Sequence, residues 1–87
     1  RVDQLTYANI PYALDFYEGR LFVSSNGKEK FCEVDPVTGE ILKDYTVVGD
    51  VTLQVPEKFC ICRNTLFIID RTKSGACIYA IPMNELN

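Results

Sequence analysis

Few residue types in this 87-residue chain can do chemistry, and the gaps among them narrow the function. Histidine is absent. That removes the commonest general base and metal ligand, and neither a Cys-His nor a Ser-His-Asp site can be built within the chain. Two acid pairs, Asp15 with Glu18 and Glu33 with Asp35, are spaced to share a proton or hold a cation. Acids two apart on a strand share a face, however, and such faces more often meet solvent. No glycine-rich phosphate cradle exists, because Gly27 and Gly39 stand alone in turns. No catalytic residue, metal ligand set or cofactor is assigned.

The four cysteines divide into two kinds. Cys60 and Cys62 are two apart on an expected strand, so both side chains share a face, and a bridge between them is geometrically poor. Their spacing is too tight for the C-x₂₋₄-C arrangement common at zinc. Cys32 and Cys77 occupy matching places in two similar segments, which reads as packing of a small apolar side chain. Buried thiols are the first expectation and disulfides the second, so the redox compartment stays open.

The elements that must position these residues are strands. Leu21 to Glu40 reads LFVSSNGKEKFCEVDPVTGE, and from Leu66 the chain reads LFIIDRTKSGACIYAIP. Leu21-Phe22 matches Leu66-Phe67 at a spacing of 45, as do Cys32 with Cys77, Lys28 with Lys73 and Pro11 with Pro56. A period near 45 with short strands is the mark of a blade-type β repeat. Strands are expected at residues 12–17, 20–25, 31–35, 41–48, 58–62, 65–70 and 76–81, and a weaker one at 1–8. Glu18-Gly19 and Arg63-Asn64 supply hairpin turns, since Gly and Asn tolerate positive φ. Asp35-Pro36-Val37-Thr38-Gly39 closes the third strand, and Arg71 to Gly75 is expected as a loop. No 3.6-residue apolar period persists, so no helix is expected.

Length and composition agree with one small packed domain. Apolar residues make up 47% of the chain, against disorder. A chain this short buries only about 60–65% of its unfolded surface, which keeps stability modest. The net charge of −3 is unclustered and no basic patch is interleaved with aromatics, so neither nucleic acid nor a membrane surface is an expected partner. No apolar run approaches the roughly 18 residues of a membrane span, and no signal-peptide layout opens the sequence. The chain begins with Arg, which fits a removed leader or a piece of a longer protein.

These segments resemble β-propeller repeats of the YVTN, NHL-like and quinoprotein-like kind, with DPVTGE as the most specific match. The resemblance covers a first repeat at about 11–48 and a second at about 56–82, which lacks the Asp-Pro-x-Thr-Gly turn. It implies two four-stranded antiparallel blades within one propeller portion spanning 1–87, with 1–8 as a closing outer strand. Two blades cannot close a ring. The chain would then belong to a larger propeller or assemble with copies of itself, three chains giving six blades. A stand-alone β-sandwich or barrel is the third possibility.

The resemblance also places the loops. Asn9, Asn26, Lys28, Gln54, Arg71 and Lys73 would face one end of the blades and form a binding surface for a small polar ligand or a protein. Tyr7, Tyr12, Tyr17, Tyr45 and Tyr79 are candidates for a sugar site or for packing between blades. The leading functional expectation is a non-catalytic interaction scaffold whose main partners are other propeller blades. The alternatives are a fragment of a lyase, lactonase or dehydrogenase propeller with its catalytic residues elsewhere, and a small oligomeric lectin.

Overall fold

β1 (Pro11–Tyr17) and β2 (Arg20–Ser25) meet at the two-residue turn Glu18-Gly19, where both residues are left-handed, at φ +49° and +76°. That is the hairpin geometry whose twist matches the flanking strands. β3 (Phe31–Val34) returns beside β2, and β4 (Ile41–Asp44) beside β3, giving an antiparallel sheet in the order β1-β2-β3-β4. Between β3 and β4, Asp35 Oδ1 accepts from the N–H groups of Val37 and Thr38, and Gly39 leaves at φ +85°. The expected turn chemistry is therefore present. The computed structural model describes residues 2–86, and every regular element longer than one turn in it is a strand.

The expected strand over 41–48 is broken. β4 stops at Asp44, where its partner runs out: Tyr45 N–H still donates to the carbonyl of Phe31, the first residue of β3, at 2.8 Å, and the Tyr45 ring enters the core beside it. Val47–Val48 (β5) instead pairs with Val51–Thr52 (β6) in a separate two-stranded ribbon.

The second large sheet holds β7 (Val55–Cys62), β8 (Thr65–Thr72) and β9 (Gly75–Pro82), in that order and antiparallel. Arg63-Asn64 makes its first turn with φ of +51° and +60°. The expected loop 71–75 shrinks to Lys73-Ser74, because β8 and β9 stay paired out to Thr72↔Gly75. A short 3-10 turn, Met83–Glu85, follows β9. Four strands were expected in each sheet, and only the first has them.

The expected strand at 1–8 is not formed in residues 2–8, while Arg1 lies outside the described residues. Thr6 N–H donates to Thr38 O, and Leu5 and Thr6 lie against Gly39, where an added Cβ would come within 2.7 Å of Thr6 O. A spacing of 45 aligns residues 2–8 with 47–53, the segment of the short β5–β6 ribbon, and not with β4.

The core lies between the two large sheets. Phe22, Phe31 and Tyr45 of the first sheet and its margin meet Phe59, Leu66, Ile68 and Ile81 of the second, and Val48, Leu53, Met83 and Leu86 fill one side. Phe22 stacks on Phe31 at 5.9 Å, and Phe31 meets Phe59 edge to face at 5.0 Å. Such pairs add about 0.5–1.5 kcal/mol beyond area burial. A smaller cluster of Leu21, Val23, Cys32 and Val34 lies on the far side of the first sheet under Tyr7 and Ile41.

Candidate functional site

The six expected loop residues gather at one end of the two sheets, opposite the turns Glu18-Gly19 and Arg63-Asn64. Three of them serve structure there. Asn9 Nδ2 donates to Glu29 Oε2 at 3.1 Å, and the Asn9 side chain fills the space a Cβ on Gly27 would need. That bond holds the Glu29 carboxyl below its ordinary pKa. Asn26 Oδ1 accepts from Ile10 N–H, and its own N–H donates to Ile10 O. Arg71 is paired with Glu57.

The remaining three differ in role. Gln54 contributes backbone, its N–H donating to the Asp70 carboxylate and its carbonyl accepting from Lys30 Nζ. Lys28 lines a small mixed cavity with Lys30, Asp44, Tyr45, Thr46 and Leu53. Lys73 is exposed in the β8–β9 turn. These loops bridge the two sheets, and no ring of convergent donors forms.

The acids are likewise structural. Asp15 Oδ2 accepts from Ile61 N–H at 2.7 Å, and its other oxygen from Phe16 N–H at 2.8 Å. Glu33 pairs with Arg20 at 3.0 Å, which raises the Arg20 pKa, and Arg20 also donates to Tyr45 Oη. Among the described residues, no group of three or more His, Cys, Asp or Glu is arranged to hold a metal. Asp70, fully buried, accepts from Gln54 and Val55 N–H and fixes the entry into β7.

All four cysteines are free. Cys32 is buried, and burial pushes its thiol pKa up. Cys60 and Cys62 share a face as expected but are exposed, so the expectation of buried thiols fails for them. Of the tyrosines, Tyr45 is buried in the core, Tyr17 and Tyr79 pack against it, Tyr7 packs on the smaller cluster, and Tyr12 is exposed.

The surface that sequence reasoning missed is the outer face of the second sheet. Strand pairing puts Cys60, Phe67 and Ala80 on one line across that face, with Ile69 opposite Ile78 on the next. Phe67 is 39% exposed and Ile78 71%, and a shallow apolar depression runs among Lys58, Cys60, Phe67, Ile69 and Ile78. An antiparallel sheet with one solvated side normally carries polar residues there. The signal was present in TLFIIDRT, where Phe67 and Ile69 are as apolar as the buried Leu66 and Ile68 between them.

At the other end of the molecule, the outer face of the first sheet exposes Leu14 (62%) and Phe16 (54%) on β1. The two exposed faces are not alike. β7, β8 and β9 start 44, 45 and 44 positions after β1, β2 and β3. Phe22, which points at the second sheet, matches Phe67, which points away from the first. Leu14 and Phe16 match Phe59 and Ile61, which pack in the core. Each sheet thus turns the same face in the same direction.

No known family model, no curated protein and no solved structure matches the chain.

Proposed function

We propose that the chain is a non-catalytic interaction scaffold, contributing two blade-type sheets to a larger β-propeller stack and working through its uncovered sheet faces. One observation carries the reading: the face of the first sheet bearing Phe22 and Phe31 is covered by the second sheet, while the matching face bearing Phe67 and Ile78 is open. A sheet face this apolar is a docking surface in want of a partner. The binding elements are main-chain strands and apolar side chains, and most polar groups that an enzyme site would need are engaged in local bonds within each sheet's own loops, or, for Asp15, in joining the sheets.

The test joins two copies of the chain in one polypeptide through a short flexible linker. If the sheets stack as proposed, the junction covers one copy's Cys60 and Cys62. Maleimide labelling of those thiols then slows at least about tenfold, the cost of opening a junction worth about 1.4 kcal/mol or more, and the melting temperature rises. Unchanged labelling and melting would count against it.

A further inference from the structure

We infer that the partner for the open face of the second sheet is the outer face of the first sheet of another copy, docked head to tail. The inference rests on the scaffold reading and names its partner. Its basis is the internal junction. There, Phe59 and Ile61 on β7 press onto the first sheet beside Phe22 and Phe31. Their counterparts Leu14 and Phe16 on β1 protrude into solvent at one end of the molecule. The counterparts of Phe22 and Glu33, namely Phe67 and Ile78, form an apolar depression at the other end. Protruding Leu and Phe at one end and an apolar recess at the other are complementary.

Substitutions between the two sheets favour the same partner. On the covered face of the first sheet, polar side chains stand at Asp15, Tyr17, Arg20, Ser24 and Glu33, and three of them reach the second sheet or its first turn: Asp15 takes Ile61 N–H, Ser24 donates to Glu57 O and Tyr17 donates to Asn64 Oδ1. The matching residues on the open face are Cys60, Cys62, Thr65, Ile69 and Ile78. The open face therefore asks for an apolar partner with few donors, and Leu14 with Phe16 provides one. Residues 2–8 cover part of the outer face of the first sheet, Tyr7 packing over the cluster of Leu21, Val23, Cys32 and Val34, and leave Leu14 and Phe16 exposed beside it. The same segment lies over the Gly39 turn as residues 47–53 lie over the end of the second sheet, where Gly49 stands against Glu85 and Ile81. Contact between unlike faces is heterologous, so copies add in one direction until the rotation closes a ring.

The deciding experiment uses sedimentation of the 87-residue chain and two surface variants, Ile78→Glu and Phe16→Glu. Both positions are exposed, so the variants fold, and retention of the strand circular dichroism checks this. Wild-type mass rises with concentration. Either variant alone associates at least about tenfold more weakly, as expected for an apolar anchor at the centre of an interface. Mixed together, the variants form a one-to-one complex that grows no further, because one sound face remains on each. Ile78→Lys and attachment of a bulky maleimide at Cys60 should block the same face. A chain that stays monomeric overturns the inference, as does association indifferent to both substitutions. Self-pairing by Phe16→Glu with no growth in the mixture would also overturn it, by showing like faces in contact. The tandem chain described above separates these failures from failure of the scaffold reading: a stabilised tandem with monomeric single copies removes only the second copy as partner.

Discussion

Asp15 Oδ2 accepts the Ile61 N–H at 2.7 Å, joining edge strand β1 of one sheet to edge strand β7 of the other across 46 positions of sequence. Charged acceptors make the stronger hydrogen bonds, worth about 1.5–3 kcal/mol when well shielded. Asp15 is half-buried, so the lower part of that range applies. Asp15→Ala should cost about 1–2 kcal/mol in urea unfolding, and Asp15→Asn, which keeps an oxygen acceptor, less than half as much. Equal losses from the two variants would show that the bond does not hold the sheets.

Asp70 has no solvent exposure, and its carboxylate serves two backbone N–H groups, those of Gln54 and Val55. Removing a buried acceptor leaves each donor unsatisfied at about 1–3 kcal/mol. Asp70→Ala should therefore lose about 2–4 kcal/mol, a large share of the roughly 4–13 kcal/mol expected for a domain of this length. Denaturant midpoints give the value, and amide exchange at Gln54 and Val55 should accelerate before the rest of β7.

The Glu29 carboxyl is held below its ordinary value of 4.5, first by the hydrogen bond from Asn9 and then by its own backbone. A depressed folded value stabilises the fold at pH above the unfolded pKa, and that contribution fades as pH falls through the folded value. The Glu29 side-chain resonance should titrate below 4.5 in the folded chain, and Asn9→Ala should move its midpoint upward. An unmoved midpoint would remove Asn9 as the cause.

Glu18 sits at φ +49°, a conformation in which a side chain is strained, with Gly19 beside it at +76°. Asn tolerates this region far better. Glu18→Asn should raise stability by about 0.5–1 kcal/mol in thermal or urea melts. Gly19→Ala should lose about 1 kcal/mol through backbone strain alone, because nothing lies within 4 Å of an added Cβ. A neutral Glu18→Asn would mean that the turn relaxes at little cost.

The strands and the two tight turns were legible because β-branched and aromatic runs alternate and Gly19 and Asn64 sit where positive φ is required. The break after Asp44 was not. Ile41 to Val48 alternates well enough for one strand, and nothing in it shows that its partner β3 begins only at Phe31, which leaves the chain beyond Tyr45 without a neighbour in that sheet. The acids were read locally, as pairs, whereas Asp15 and Asp70 find their partners across the fold. Asp70 did leave a trace: it shares a face with Leu66 and Ile68, an odd place for an unpaired charge. Which side of the second sheet turns inward was hidden, because β8 is apolar on both faces from Leu66 to Ile69.

That orientation is the claim on which the rest depends, and nuclear Overhauser contacts of the aromatic rings measure it directly. The account predicts strong contacts between the rings of Phe31 and Phe59, whose centroids lie 5.0 Å apart, and none from the Phe67 ring to the first sheet of the monomeric Phe16→Glu chain. Contacts from Phe67 to Phe22 or Phe31 in that chain would mean that the second sheet faces the other way, and would contradict the account.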